Sequence, residues 1–433
     1  MEPILRPKNR LSLWSVRLFV TVAVLLFLGS NGTERDVFRN DVLTFFGNRT
    51  VTADSLTSDS FLVALTRKTA DPAKTPPSDY SIILRRVDPV ERALLQDVQY
   101  GKWGRFDLFR AAMIVEGVRD PELIRTYEAR LNAFVAEVLA AARAEGKNTQ
   151  QALTRVLFEA MHREILTQPY SIDCTELSKV MKTGHFNCVS ATVLFNCLAE
   201  KAGLDVCALE MPGHALSQVK FANGVVMKIE TTCPTWFDLQ SDKERMMATQ
   251  RVVAPAPAIP NPATAQNVAA PPEVVAEAEL PANLREISPV QLVATIYYNQ
   301  GVDLLTKECF PEAAAANIKA LYLDKDNKQA WLNLLASLNN WALELALAKS
   351  QQYDVATVIL DQGVSLDPTY DKFRSNQIFV FYHWMRDLTN LGHFDKARQV
   401  FALADQRLPG NETLKRALND VNEGEAKIRQ LRK

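Results

Sequence analysis

A proline- and alanine-rich segment over residues 254–281 predicts a domain boundary in this chain. It reads APAPAIPNPATAQNVAAPPEVVAEAELP and holds 7 of the chain's 21 prolines. Proline donates no backbone hydrogen bond and disrupts helix interiors, so the segment predicts an extended linker. Because a chain of 433 residues exceeds what one hydrophobic core usually organises, we expect folded domains on both sides of this linker.

The composition on either side of the linker predicts an α+β fold with five regions. Helix-forming residues dominate after residue 88. We expect a helix and an antiparallel sheet at the centre, a helical bundle before them and an α-helical solenoid after them. The regions are a membrane anchor or signal segment at 1–30, an irregular stalk at 31–87, the central domain with N-terminal helices at 88–250, the linker at 251–286 and helical repeats at 287–433.

The first thirty residues combine a basic flank with an apolar run over residues 11–28. Eighteen helical residues span about 27 Å, close to the hydrocarbon thickness of a bilayer. The basic flank predicts a cytoplasmic N-terminus, with the rest of the chain outside. Secretion after cleavage of a signal peptide is the alternative. Cleavage after Ser30 would place bulky Leu28 where a small residue is preferred, which favours an uncleaved anchor.

The balanced charge argues against nucleic acid as a partner. The chain has 49 lysines and arginines against 50 aspartates and glutamates and no long basic run, whereas nucleic-acid-binding surfaces are strongly basic. Its six cysteines form no CxxC pair and its five histidines no clustered ligand set, which argues against zinc. We therefore expect no metal and no other cofactor.

Three capped helices are predicted at the start of the central domain. Asp88-Pro89 and Asp120-Pro121 each supply an N-cap residue and a proline for the first helical position. Glu91 is expected to close a capping box with Asp88. A third helix is predicted over residues 149–166. These helices predict a bundle packed beside the segment that follows.

The stretch GHFNCVSATVLFNCLAEKAGL over residues 184–204 predicts a helix that contains two cysteines. Asn187 is a good N-cap residue and Gly203 a typical C-terminal glycine. Cys188 then lies in the first turn, where unpaired N–H groups and the helix dipole favour a thiolate. Cys197 lies further along, on the buried side of the helix. Position alone therefore marks Cys188 as the candidate nucleophile and Cys197 as a packing residue.

A predicted β-hairpin after this helix carries a histidine and a glutamate. His214 opens the strand HALSQVKF, and Glu230 lies near the end of the returning strand VVMKIETT. A two-residue Asn-Gly turn would place the two side chains on opposite faces, because side chains alternate along a strand. A three-residue loop over 222–224, with its glycine left-handed, pairs position 214 with 232 and places both side chains on one face. We predict the three-residue loop.

The other candidate residues have weaker claims. Asp238 is the alternative acid for orienting the histidine. His185, three residues before the nucleophile, is a candidate for lining the cleft, while Cys174 and Cys233 are expected to be bystanders. A cysteine nucleophile needs a base and a group that orients the base. We therefore take Cys188, His214 and Glu230 as the site.

The order of a cysteine at a helix start, a histidine on one strand and an acid on the next resembles the transglutaminase-like cysteine enzymes. FNCVSATVLFNCLAEKAGLDVCALEMPGHALSQV is most similar to their bacterial branch related to the SirB1 N-terminal domain. The resemblance covers about residues 170–240. It implies a papain/transglutaminase-like core acting on amide bonds, with Cys188 as nucleophile, His214 as base and then acid, and Glu230 as orienter. It also implies an acyl-enzyme that water or an amine resolves.

Three segments after the linker superpose without gaps, over residues 310–327, 353–370 and 394–411. Each has a small residue, a second small residue seven positions later, and Lys or Pro five positions beyond that. The pairs of small residues are Ala313 and Ala320, Ala356 and Gly363, and Ala397 and Ala404. This pattern resembles the second helix of tetratricopeptide repeats. Such repeats bind peptide segments in their grooves, so we expect a protein or peptide partner there. An irregular helical bundle is the alternative.

Two functions fit these features. The first is a membrane-anchored cysteine peptidase, amidase or acyltransferase whose repeats recruit a partner. The second is a non-catalytic interaction scaffold in which only the repeats act. The two differ in the state of Cys188, which is an activated thiolate in the first and a packed thiol in the second.

Overall fold

The computed structural model describes residues 87–99, 101–239, 244–245, 247, 284–348 and 351–431. The predicted anchor at 1–30 lies outside the described residues, and so does the predicted stalk except for Val87. Most of the linker also lies outside them. Within the described ranges, no helix is both long and apolar enough to cross a membrane. The chain clusters into two compact units, one of them residues 87–337, and the described part of the other begins at Leu338.

The first unit begins with six helices and a short antiparallel ribbon. Asp88 and Asp120 cap their helices with a proline in the first turn, as predicted, and Thr149 caps the third predicted helix. The elements are α1 (Pro89–Asp97), β1 (Val98–Gln99), β2 (Lys102–Trp103), α2 (Leu108–Val115), α3 (Pro121–Ala144), α4 (Gln150–Glu164), α5 (Leu177–Thr183) and α6 (Cys188–Lys201).

Glu91 does not close the predicted capping box. Its buried carboxylate instead accepts hydrogen bonds from the Tyr297 hydroxyl and from Lys319 Nζ at 2.8 Å, and it forms an ion pair with Arg119. These partners come from distant parts of the chain. A buried carboxylate is stable only with several donors, so the tertiary partners outweigh the local backbone N–H.

A four-stranded antiparallel sheet has the order β5-β4-β3-β6, with β3 (Asp205–Met211), β4 (His214–Lys220), β5 (Val226–Ile229) and β6 (Arg285–Ile287). Strand β6 pairs with β3 and follows the proline-rich segment over 254–281. Its first two residues lie inside the range predicted as linker, 251–286, so that predicted end is wrong: backbone pairing with β3 holds these residues in the sheet. The sequence analysis does not predict this strand, since three residues provide no readable alternation. The sheet thus includes one strand from beyond the proline-rich segment.

The hairpin between β4 and β5 has the predicted three-residue loop. Ser217 pairs with Ile229 and Lys220 with Val226, and the Phe221 N–H donates to the Val225 carbonyl oxygen at 2.9 Å. Gly224 is left-handed, with φ at 83°. If the pairing is extended beyond Ser217 and Ile229 at the same register, position 214 lies opposite 232. The same arithmetic places His214 and Glu230 on one face.

Helix α6 lies at the centre of the first unit. Its first twelve residues are all buried, and it packs against β3, β4 and five other helices. Asn187 and Ser190 form a reciprocal capping box, with each side-chain oxygen 3.0 Å from the other residue's backbone nitrogen. The cap and the surrounding core therefore fix the position of the helix N-terminus.

Two helices after the linker also belong to this unit, namely α7 (Pro289–Thr306) and α8 (Phe310–Leu323). The apolar residues near the start of α7 are buried, among them Val290, Val293 and Ile296. Asn299 donates to Thr175 Oγ1 and Gln300 donates to the Val115 carbonyl oxygen. The part of the chain after the linker thus completes the core around α6.

The second unit is helical over its described part. Helix α9 (Lys328–Leu347) contains the boundary and is followed by α10 (Tyr353–Leu366), α11 (Asp371–Asn390), α12 (Phe394–Arg407) and α13 (Glu412–Leu431). Helix α11 packs against α10, α12 and α13. One buried core joins the last three helices, and it includes Phe381, Met385, Ala397, Val400, Leu414, Ala417 and Val421.

The three repeated segments form helices of equal length. Helices α8, α10 and α12 each have 14 residues and begin at the corresponding aromatic residue. The predicted small residues are buried in all three helices. A Cβ atom at Gly363 would lie 2.4 Å from the Phe373 ring, so this position requires glycine. The tetratricopeptide assignment itself stays a prediction.

Candidate active site

Cys188 is the first residue of α6, and 7% of its surface is exposed. The first N–H groups of a helix have no intrahelical acceptors and carry the positive end of its dipole. Cys197 is 2% exposed, and burial raises the pKa of its thiol well above the ordinary value. The two cysteines thus lie in opposite electrostatic settings, as their positions in the sequence predict.

His214 and Glu230 meet in the core beside this helix end. His214 Nε2 lies 2.7 Å from Glu230 Oε2, and both side chains are fully buried. A carboxylate can only accept, so Nε2 carries the proton and donates it. The bond links β4 to the segment after β5, and the hairpin register is what allows the two residues to meet.

The two threonines after Glu230 position its carboxylate and the backbone next to it. The Thr232 backbone N–H and hydroxyl donate to Oε1 at 3.1 and 2.6 Å. The Thr231 hydroxyl lies 2.9 Å from that of Thr192 on α6, and His162 Nε2 donates to the Thr231 carbonyl oxygen at 3.1 Å. Both carboxylate oxygens of Glu230 therefore have hydrogen-bond partners.

The surroundings of His214 favour its protonated form. Burial lowers the pKa of His214, but the nearby Cys188 side chain and the hydrogen bond and charge of Glu230 outweigh it and raise the pKa to about 10. Its second ring nitrogen, Nδ1, is buried and makes no hydrogen bond within the described residues. The Cys188 side chain lies near this ring without a formed hydrogen bond to Nδ1, and catalytic hydrogen bonds are often long without substrate.

Tyr170 is a fourth residue at this point, and the sequence analysis does not predict it. It pairs in a parallel β-bridge with Phe186, two residues before Cys188, which places it beside the start of α6. Burial and the neighbouring Cys188 side chain raise the pKa of Tyr170. The tyrosine lies in an irregular segment before α5, where no periodicity or cap indicates which residue will approach the helix.

The other candidate residues take different places. Asp238, the alternative acid, forms an ion pair with Arg155 at 2.9 Å and is largely exposed. His185 Nδ1 donates to the Pro169 carbonyl oxygen at 2.9 Å. Cys174 and Cys233 are free thiols. Of the two acids considered, the structure therefore brings only Glu230 to His214.

His162 is a partly buried histidine that the sequence analysis does not single out. It packs against Phe158 and Phe186, and burial lowers the pKa of His162 to about 4. It therefore stays neutral and supports the Thr231 backbone. The described part of the chain holds no group of three or more His, Cys, Asp or Glu placed to bind a metal.

Comparisons with known proteins agree with this geometry in the central part of the chain. Residues 125–256 match the family model described as transglutaminase-like superfamily. The matched range includes α6, the β3–β5 hairpins, Cys188, His214 and Glu230. Neither the search of curated proteins nor that of solved structures found a match. The chain therefore contains a transglutaminase-like domain over residues 125–256, within a larger helix-and-sheet fold.

Proposed function

We propose that this chain is a cysteine enzyme that acts on amide bonds as a peptidase, amidase or acyltransferase. The observation that carries the proposal is the buried 2.7 Å bond between His214 and Glu230 beside a cysteine at a helix N-terminus. Burying such a pair costs desolvation energy, and a purely structural role gives no reason for its position next to a thiol. The match to the transglutaminase-like family supports the same assignment.

In the proposed reaction Cys188, His214 and Glu230 act both in the formation of the acyl-enzyme and in its breakdown. The Cys188 thiolate attacks the carbonyl carbon, and the C=O π electrons move to the oxygen. When these electrons return, the C–N bond breaks and the leaving nitrogen takes the proton of the His214 imidazolium. The resulting thioester is attacked by water or an amine, His214 accepts the proton of that nucleophile, and the thiolate leaves. Glu230 orients the ring throughout.

An acylation assay tests this proposal without knowledge of the natural substrate. The purified full chain is mixed with p-nitrophenyl acetate, and we expect a burst of p-nitrophenolate with the acetyl group on Cys188 by peptide mass mapping. Cys188→Ser and His214→Ala should abolish the burst, whereas the matched control Cys197→Ala in the same helix should retain it. A parent chain no faster than Cys188→Ser would overturn the proposal and favour the interaction scaffold.

We also propose a finer family placement, in the bacterial branch related to the SirB1 N-terminal domain. The segment from Phe186 to Val219 supports it by resemblance alone. Finding the central segment in chains of that branch, with cysteine, histidine and acid in the same order, would support the placement. Absence of the ordered triad there would contradict it.

We further propose that residues 1–30 anchor the chain in a membrane, with the bulk outside the cytoplasm. The basic flank and apolar run support this. The native chain should pellet with membranes, resist carbonate extraction and be digested by protease added to spheroplasts. Recovery of a shortened chain in the medium would show a cleaved signal instead.

Finally, we propose that the tetratricopeptide-like helices recruit a protein or peptide partner. The three equal helices with buried small residues support repeated packing, and repeat grooves bind extended or helical segments. Cross-linking from introduced photo-reactive residues on α11 should capture one defined partner. Uniform labelling of many proteins would argue against a specific groove.

A further inference from the structure

Glu230 lies just beyond the backbone pairing that forms the hairpin. The ladder between β4 and β5 ends where Ser217 pairs with Ile229, which is also the last residue of β5. The ladder therefore does not fix the residue that follows. Since the carboxylate of that residue lies 2.7 Å from His214 Nε2, other contacts must hold it in place.

Helix α6 supplies one of these contacts through Thr192. The Thr192 hydroxyl lies 2.9 Å from that of Thr231, the residue after Glu230, and both threonines are fully buried. Thr192 follows Cys188 by four residues, so the two lie on the same face of α6, one turn apart. The helix that begins with the candidate nucleophile thus also holds the segment that carries the acid.

A second buried hydrogen bond lies one turn further along the same face of α6. Asn196 follows Thr192 by four residues, and its Oδ1 accepts from the Ser217 hydroxyl at 2.6 Å. Ser217 lies on β4, three residues after His214. The two bonds therefore join α6 to both segments that carry the candidate partners of Cys188.

Packing alone does not account for the threonine pair. Two bonded hydroxyls in a core can be replaced by apolar groups of the same shape at little cost in stability. On its other side, Thr231 is held by His162, whose Nε2 donates to the Thr231 carbonyl oxygen at 3.1 Å. The side chain and the backbone of Thr231 are thus each held by a different helix, which indicates that its position matters.

We propose that Thr192 is a positioning residue that acts through Thr231 to keep Glu230 aligned with His214 and Cys188. The bond between the hydroxyls ties the acid to the helix of the nucleophile, so that the acid and the sulfur keep a fixed separation. The carboxylate in turn keeps the His214 ring in the orientation that leaves its Nδ1 available to the thiol. This inference rests on the proposed cysteine chemistry and adds to it the contact that holds its groups together.

A double substitution removes this bond without leaving an unpaired hydroxyl. Thr192→Val/Thr231→Val keeps the shape of both side chains, so its thermal midpoint should stay close to that of the parent. Alkylation of Cys188 by iodoacetamide at pH 6 should fall about 10–100-fold, because small displacements of catalytic groups have effects of this order. The two rates should converge near about pH 10, where a thiol ionises without a partner.

Two further variants separate positioning from a general loss of packing. Thr192→Ser keeps the hydroxyl and should retain the parent rate at pH 6. Thr154→Val removes another fully buried hydroxyl, one that donates to the Gln150 carbonyl oxygen of its own helix. We expect this control to leave the dependence of the alkylation rate on pH unchanged.

Parent-like labelling at pH 6 in the double variant would overturn the inference and leave the proposed function intact. An equal fall at every pH would also overturn it, because that result would show changed access to the sulfur. So would loss of the cooperative thermal transition in the double variant, since the pair would then be needed for the fold itself. If the parent is labelled no faster at pH 6 than His214→Ala, the proposed function fails, and this inference with it.

Discussion

His214 donates a 2.7 Å hydrogen bond to Glu230 in a part of the core where both side chains are fully shielded from water. A residue on β4 and one just after β5 can make this bond only if the hairpin has one particular register. The carboxylate also accepts from Thr232. The His214–Glu230 hydrogen bond therefore depends on the three-residue loop over residues 222–224, because that loop sets the register of the hairpin.

Replacing Glu230 with glutamine tests the charge on the orienting acid. Glutamine keeps the size of the side chain but removes the charge that favours the His214 imidazolium, so thiolate formation at Cys188 should decrease. We expect the rate of Cys188 alkylation at pH 6 to fall about 10–100-fold. Asp238→Asn, in the alternative acid, is the control and should retain the parent rate. Equal rates in Glu230→Gln and the parent would remove Glu230 from the site.

His162 should make the fold sensitive to acid. Burial lowers its pKa from 6.5 to about 4, so the unfolded chain binds a proton more readily than the folded one. The stabilisation from the neutral ring is fully present above pH 6.5 and is lost as the pH falls towards 4. The loss should reach about 3 kcal/mol in the free energy of unfolding.

Urea unfolding of the parent and of His162→Gln at pH 7 and pH 4.5 measures the contribution of His162 to this loss of stability. His162→Gln has no titrating group at that position, so its stability should fall less between the two pH values than that of the parent. Comparing the two proteins cancels the contributions of the titrating groups that they share. Parallel losses in both proteins would show that His162 does not contribute.

Gly363 should tolerate no side chain. A Cβ atom there would lie 2.4 Å from the Phe373 ring, so Gly363→Ala must displace a buried aromatic residue. We expect a loss of about 1–3 kcal/mol in the free energy of unfolding. Gly424 in α13 is the matched control, because a Cβ there makes only ordinary contacts at 3.4 Å or more. Gly424→Ala should stabilise the chain by up to about 1 kcal/mol; equal effects of the two substitutions would contradict the packing described.

The residues after the linker should be needed for the central domain to fold. Strand β6 pairs with β3, and α7 buries apolar residues against the core. A fragment of residues 87–337 should therefore unfold cooperatively on heating, whereas a fragment of residues 87–250 should lack a cooperative transition in circular dichroism. A cooperative transition in the shorter fragment would show that the helices after the linker are dispensable.

Local signals in the sequence predict much of the site. The Asn187 cap places Cys188 at the helix start, and the three-residue loop that ends at Gly224, together with strand alternation, places Glu230 on the same face as His214. These features depend on neighbouring residues, so the sequence contains the information they need. The predicted register is confirmed by the ladder between β4 and β5.

The remaining features depend on contacts between distant segments. Strand β6 is three residues long and pairs across the linker. The Glu91 carboxylate contacts Tyr297 and Lys319 instead of closing its own helix cap, and Tyr170 pairs with Phe186 just before α6. None of these contacts has a periodicity or a spacing that the sequence alone could indicate.

The most direct test of the central claim is the rate of Cys188 alkylation by iodoacetamide against pH. The full chain and His214→Ala are labelled in parallel, and mass spectrometry separates the six cysteines. Because the pKa of His214 is raised to about 10, the imidazolium should persist across neutral pH. We therefore expect fast labelling from about pH 6 upward, with little change until the histidine loses its proton and a collapse in His214→Ala. Labelling that begins only above about pH 8 and is equal in the two proteins would contradict the claim.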